Sequence, residues 1–173
     1  MEKWRKVDDF LPLHSEILIL FVIMIQFLGN IEAKLDAKAR VFVPASFRKI
    51  LQPLGQNELI LRKDIFQNCL VLYPSVVWEE EVALLRSRLN RWDKQQQQLF
   101  RQFVVDAEHL EMDANGRILI PKRCQQMIGI ESEIRFLGVD NTIEIWTKDG
   151  LDETLVSSEN FGTEIQRLMN DEV

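Results

Sequence analysis

The sequence predicts a mixed α+β fold, mainly β with short helices, in which two copies of one small module combine. Three observations predict it. The segment Leu35-Asp36-Ala37-Lys38-Ala39-Arg40-Val41-Phe42-Val43-Pro44 recurs as Met112-Asp113-Ala114-Asn115-Gly116-Arg117-Ile118-Leu119-Ile120-Pro121, with Asp, Ala, Arg and Pro identical in place. Around each copy, apolar residues alternate with polar ones or cluster in runs of strand length. After the first repeat proline, apolar residues recur at helical spacing.

Ahead of the repeat, Lys3, Arg5 and Lys6 precede an apolar run over 17–28. That run is too short for a membrane-spanning helix, which needs roughly 20 residues. Asp8, Asp9 and Glu16, with no small-x-small cleavage site following, set it apart from a signal peptide. Met24-Ile-Gln-Phe-Leu-Gly leads directly into the first module, so Met24 is a candidate true start and 1–26 is read as an extension outside the repeat.

The first module is expected over 29–76. Alternation in Ile31-Glu32-Ala33-Lys34-Leu35 makes a half-buried strand, Asp36-x-x-x-Arg40 a turn, and the run to Pro44 a second strand, together a hairpin. Phe47, Ile50 and Leu51 place a short helix over one side of it, and Gly55 ends that helix. Residues 59–61 and 69–73 supply two further strands before Pro74 stops the sheet. The second module, over 105–148, has counterparts at 134–137 and 142–146. A module this short buries too little surface to be stable alone, so the copies are expected to interlock into one barrel with shared strands.

Between the modules, 77–104 is read as a helical connector. Ser75 can cap a helix whose first turn carries Glu79, Glu80 and Glu81. Trp78, Val82, Leu85, Leu89 and Trp92 recur at spacings of four and three, one apolar stripe that suits either core packing or a subunit interface. Gln95 to Gln98 read as a polar turn or a helix start. The last stretch, 149–173, is expected to be an acidic helical tail.

A net charge of −6 and a pI near 5.1 argue against indiscriminate coating of nucleic acid, which needs a broadly basic face. The acid is concentrated: from residue 131 onward 11 acids face 3 bases, which leaves 1–130 with a net charge of +2. Basic charge sits beside the repeats. Lys34, Lys38, Arg40, Arg48 and Lys49 face Glu32 and Asp36, while Arg117, Lys122 and Arg123 face Asp113. Cys69 and Cys124 form no CxxC or Cys/His spacing, which fits a reduced compartment. His14 and His109 are too few for a zinc cluster, so no metal and no other cofactor is expected. The chain carries no phosphate-cradling glycine loop, no nucleophile elbow and no His beside a candidate Ser or Cys, so neither an enzyme nor a small-molecule substrate is expected.

Phe27-Leu-Gly29, Leu35-Asp-x-Lys-x-Arg-Val-x-Val-Pro44, Cys69-Leu-x-Leu-Tyr-Pro74 with Trp78, Asp113-x-x-Gly-Arg-Ile-Leu-Ile-Pro121 and Glu144-Ile-Trp146 fall in the order found in MraZ proteins. Over about 27–155 the chain resembles that family. The resemblance implies two tandem AbrB-like modules forming one pseudo-twofold swapped-hairpin double barrel, assembled into ring-shaped homo-oligomers. It also implies a cytoplasmic, nucleoid-associated regulator that binds double-stranded DNA at short G-rich direct repeats upstream of its own division and cell-wall operon, and generally represses it.

The residues themselves suit such a task. An Asp at the head of a turn accepts hydrogen bonds from the following backbone N–H groups and fixes the loop, while the Arg four residues on projects from the next strand. An arginine mounted in this way can fork onto guanine O6 and N7. The DNA-contact candidates are therefore Arg40 and Arg117, then Lys38, with Lys34, Arg48, Lys49, Lys122 and Arg123 weaker. Asp36, Asp113 and Gly116 position the loops. Each has a plainer reading: the Asp–Arg pairs only lock the turns, Lys38 is a solvated loop lysine, and charge on a helix surface does nothing specific. One position departs from the family pattern, with Ala39 where copy two has Gly116. If that backbone needs a positive φ, alanine costs about 1 kcal/mol, or the loop takes another turn. The rival to DNA binding is an AbrB-fold antitoxin or adaptor whose acidic segment 151–173 wraps a protein partner, and the tandem copy counts against it.

Overall fold

Two copies of a four-strand unit exchange their first strands across one central sheet. The computed structural model describes residues 25–55 and 57–170, so the expectations for 1–24, Met24 as a start among them, lie outside the described residues. Copy one runs β1 (Phe27–Lys34), β2 (Arg40–Phe42), α1 (Ala45–Leu51) with a 3-10 turn at Gln52–Leu54, β3 (Glu58–Lys63) and β4 (Leu70–Pro74). A helical pair follows, α2 (Ser75–Arg88) and α3 (Lys94–Val105). Copy two runs β5 (Glu108–Glu111), β6 (Arg117–Leu119), α4 (Lys122–Ile128), β7 (Glu133–Asp140) and β8 (Thr142–Thr147), and α5 (Ser158–Asn170) closes the described chain.

The main sheet has the order β1-β7-β8-β4-β3-β5, every neighbour antiparallel. That order reads alike from both ends once β1 is matched with β5, β7 with β3 and β8 with β4. The first strand of each copy thus pairs with the third strand of the other. Strands β2 and β6 form a separate two-stranded ribbon in the register Arg40↔Leu119, Val41↔Ile118, Phe42↔Arg117. The expected interlocking of the copies is what this topology draws.

Two expectations need correction. Strands β1 and β2 were expected to form a hairpin, and they flank a tight turn with Asp36 N donating to Arg40 O at 2.8 Å, yet they do not pair as a ladder. Leu35 N donates to Ser132 O and Val43 N to Gly116 O, both across the repeat, so each arm leaves the turn for the other copy. Among the described residues the strands also do not close into one barrel: β2 and β6, three residues each, pair only with one another, and the six-stranded sheet keeps β1 and β5 as edges.

One continuous core explains why neither copy stands alone. Phe27, Phe47, Leu59 and Leu61 from copy one pack with Ile118, Ile120, Phe136 and Ile145 from copy two, and the Phe27 and Phe47 rings meet edge to face at 5.5 Å. Each large side chain buried in this way contributes roughly 1.5–3 kcal/mol, and the cluster draws its members from both repeats. Strands β3 and β4 lie in the body of the sheet with most side chains buried on both faces, which accounts for their unbroken apolar runs.

Proline starts three helices in the same conformation. Pro44, Pro74 and Pro121 sit at the N-caps of α1, α2 and α4 with φ of −50°, −55° and −57°, the angle the pyrrolidine ring imposes. Helix α2 therefore begins at Ser75 rather than after it, and Glu79 to Glu81 lie past its first turn. The expected apolar stripe is interrupted, because Leu89 is already extended and Trp92 lies in the interhelix turn, 94% exposed. Its first part packs helix on helix, with Trp78 stacked on Phe103 of α3 at 5.4 Å and edge-on to Tyr73 at 5.5 Å. The glutamine run forms the first turns of α3, capped by Asp93, whose carboxylate accepts from Gln96 N at 2.9 Å.

Candidate nucleic-acid interface

The repeated Asp-x-x-x-Arg segments fold into two matching turns. Asp36 Oδ1 accepts from the backbone N–H groups of Lys38 (2.8 Å) and Arg40 (3.0 Å), while Oδ2 takes Arg40 Nε (2.8 Å) and Nη2 (2.6 Å). Asp113 repeats the arrangement with Asn115 N (2.9 Å), Arg117 N (3.0 Å), Arg117 Nε and Arg117 Nη2 (both 2.8 Å). Hydrogen bonds from the Arg40 side chain, then from its backbone N–H, hold the Asp36 carboxyl down at about 2. The Arg117 backbone N–H, then its side chain, hold Asp113 below the usual carboxylate range. One carboxylate oxygen takes both the Nε and Nη2 donors, which leaves Nη1 and the second N–H of Nη2 on each guanidinium outside the pair and fixed in direction.

The left-handed residue of each turn is matched as well. Ala39 has φ 61° and Gly116 φ 81°, so copy one keeps the same turn despite its Cβ. Each turn is then sewn to the other copy, Ile120 N donating to Ala39 O and Val43 N to Gly116 O, both at 3.0 Å. Gly116 carries a further constraint: a Cβ there would lie 2.5 Å from Cδ of Arg48. Arg48 reaches across from α1, its Nε donating to Val43 O at 3.0 Å, and the matching residue of the other copy is the shorter Gln125, whose Nε2 donates to Ile120 O at 2.7 Å.

Strand pleating sorts the ribbon into two faces. Val41 and Ile118 are buried, so Arg40, Phe42, Arg117 and Leu119 share the outer face. Phe42 is 58% and Leu119 52% exposed, and the Arg117 guanidinium lies 5.7 Å from the centre of the Phe42 ring. Two oriented arginines thus frame two exposed apolar side chains. Phe42 and Leu119 escaped the sequence reading, although each stands two residues from its arginine and so belongs to the same strand face.

The other candidates are placed as follows. Lys38 is exposed in the Arg40 turn, and Lys49 and Lys122 are exposed on α1 and α4. Lys34 ends β1 in register with Glu133. Arg123 is tied to Asp106 and, at 3.1 Å, to Glu108. Neither Lys34 nor Arg123 belongs to the ribbon face. Among the described residues no cluster of His, Cys, Asp and Glu is placed to hold a metal ion, and no helix is long and apolar enough to cross a membrane.

These features define a class of protein: a duplicated β module whose halves trade strands and present paired arginine turns on a shared ribbon. Comparison with known families gives the class its particular member. The family described as "MraZ protein, putative antitoxin-like" matches twice, over 26–102 and 103–169, and the chain belongs to the MraZ family. It is similar to the transcriptional regulator MraZ of Bacteroides thetaiotaomicron, 56% identical over 149 residues that cover 86% of this chain and 96% of that protein. The Bacteroides fragilis protein of the same name is also 56% identical over 149 residues, covering 86% and 94%. That of Christiangramia forsetii is 37% identical over 150 residues, covering 86% and 96%.

Proposed function

We propose that this protein is a sequence-specific, DNA-binding transcriptional repressor that reads short G-rich direct repeats upstream of its own division and cell-wall operon. The observation that carries the reading is the outer face of the β2–β6 ribbon, where Arg40 and Arg117 are each aimed by an aspartate. A two-stranded ribbon fits the major groove, and a guanidinium whose Nε edge is already held offers its free end to guanine O6 and N7, a contact worth about 1–3 kcal/mol of discrimination. Phe42 and Leu119 supply apolar contact to the groove wall and thymine methyl groups. Lys38 reaches phosphate beside the first arginine, and Lys49 and Lys122 add weaker phosphate contacts. The exchanged strands of the sheet support reading the fold as the swapped-hairpin arrangement of two AbrB-like modules. The DNA partner makes the protein cytoplasmic and nucleoid-associated.

A chain with net charge −6 and one small basic face binds DNA weakly by itself. Several copies joined in a ring and engaging tandem repeats raise the effective concentration enough to compensate. The test is a gel shift with the DNA preceding the gene against a scrambled control, comparing wild type with Arg40→Ala and Arg117→Ala. Each variant is expected to lose at least about tenfold in specific binding while its circular dichroism is unchanged. Wild-type affinity in both variants would remove the arginines from the mechanism.

A further inference from the structure

Among the described residues, none packs on the apolar side of helix α5. All of its described residues are exposed, and Phe161, Ile165, Leu168 and Met169 fall on one side of its 13 residues. The helix is about 20 Å long. The sequence around it is strongly acidic: over 149–172 seven acids accompany a single base, Arg167.

The complementary surface lies at the turn end of the α2–α3 pair. A groove of about 410 Å³ opens there, with Leu89 and Phe100 among its lining and Arg86, Arg91 and Arg101 around it. The Arg86 guanidinium lies over the Phe100 ring at 5.3 Å. Over 86–101 five bases accompany one acid, and among the described residues none of the three groove arginines has a carboxylate partner. Trp92 stands exposed in the same turn. A groove with Leu89 and Phe100 in its lining, ringed by arginines that have no carboxylate partner among the described residues and of which Arg101 donates to Gln97 Oε1 at 3.0 Å, matches an acidic amphipathic helix in both chemistry and charge.

We propose that α5 of one copy of this chain docks in the α2–α3 groove of a second copy. Phe161, Ile165 and Leu168 cover Leu89, Phe100 and Trp92, and Glu164, which flanks that apolar side, exchanges its surface ion pair with Arg167 for Arg101. The contact joins two different surfaces, so each copy keeps a free helix at one end and a free groove at the other, and repetition either closes a ring or runs on. DNA phosphate would satisfy the groove arginines, yet it would leave the apolar side of α5 and Trp92 uncovered, and the helix is therefore the favoured occupant. This inference rests on the self-association proposed above and names the surfaces that carry it.

Sedimentation velocity on the full chain tests it with two charge-reversed variants, Arg91→Glu/Arg101→Glu and Glu164→Lys. All three side chains are exposed, so both variants should melt with the wild type. Each alone is expected to associate about a hundredfold more weakly, because like charges then face one another. An equimolar mixture is expected to regain wild-type assembly, since each variant's helix now matches the other's groove. Variants that assemble as wild type, or a mixture that fails to recover, overturn the interface. A groove variant that assembles normally but loses DNA affinity assigns the arginines to phosphate and also overturns it. Wild-type protein that sediments as a monomer at every concentration sinks the underlying self-association instead.

Discussion

Replacing Gly116 by alanine tests the geometry on which the second arginine turn depends. The backbone there has φ 81°, where an L side chain costs about 1 kcal/mol. The new Cβ would also stand 2.5 Å from Cδ, 2.6 Å from Nη1 and 3.0 Å from Cζ of Arg48. Those atoms belong to a flexible side chain, so Arg48 can swing away, but it then gives up its hydrogen bond to Val43 O, about 1 kcal/mol. Together the two effects destabilise the fold by about 2 kcal/mol, which for a chain of this size lowers Tm by roughly 4–8 °C. In an Arg48→Ala background only the backbone part remains, so Gly116→Ala should then cost about 1 kcal/mol. The converse change, Ala39→Gly at φ 61°, relieves the same backbone strain and should stabilise by up to about 1 kcal/mol. Urea denaturation of the four variants measures all of this. A Gly116→Ala protein as stable as wild type, or a cost that Arg48→Ala leaves unchanged, would refute the packing of Arg48 on the opposite turn.

Further outcomes follow from the same geometry. Phe42→Ser and Leu119→Ser should weaken DNA binding with stability within about 0.5 kcal/mol of wild type, since both side chains are exposed; a large stability loss with intact binding would move them into the core. Lys38→Ala should reduce the slope of log affinity against log salt by about 1 without altering sequence preference, and an unchanged slope would remove its phosphate contact. The Asp36 and Asp113 carboxyls are depressed in the folded state, so the stability they confer is complete above the ordinary carboxylate range and is lost as pH falls through their folded values, about 2 for Asp36. An NMR titration of the Lys38 and Asn115 amides should show midpoints below 3.8, and ordinary carboxylate midpoints would mean the turns are open in solution. Burial pushes the Cys69 thiol up to about 12 and raises that of Cys124, so alkylation at neutral pH should wait on unfolding; rapid labelling of the native protein would contradict their burial.

The duplication was readable because Asp, Arg and Pro each have a local job: a carboxylate to hold a turn, a cation four residues on, and a ring that starts a helix. Short helices after Pro44 and Pro121 and the strands around 59–61, 69–73, 134–137 and 142–146 follow from the same local chemistry. Strand partnership did not, because alternation in β1 fixes which side is buried and says nothing about which distant strand supplies the hydrogen bonds. That is why the expected hairpin and closed barrel gave way to an exchange between copies. Ala39 raised a question the sequence could not answer. The Asp36 hydrogen bonds and the cross-copy bond to Ile120 outweigh about 1 kcal/mol of left-handed strain, and the turn survives. Arg48 read as a surface cation because its contact, Gly116, lies in the other repeat. Trp92 matched a helical stripe by spacing, yet α2 ends before reaching it.

The most direct test is dimethyl sulfate protection of guanine N7 in the upstream DNA at saturating protein. Wild type is expected to shield a set of guanines, with one subset exposed again in Arg40→Ala and a different subset in Arg117→Ala. Identical protection by all three proteins at full occupancy would contradict the assignment of both guanidinium groups to bases.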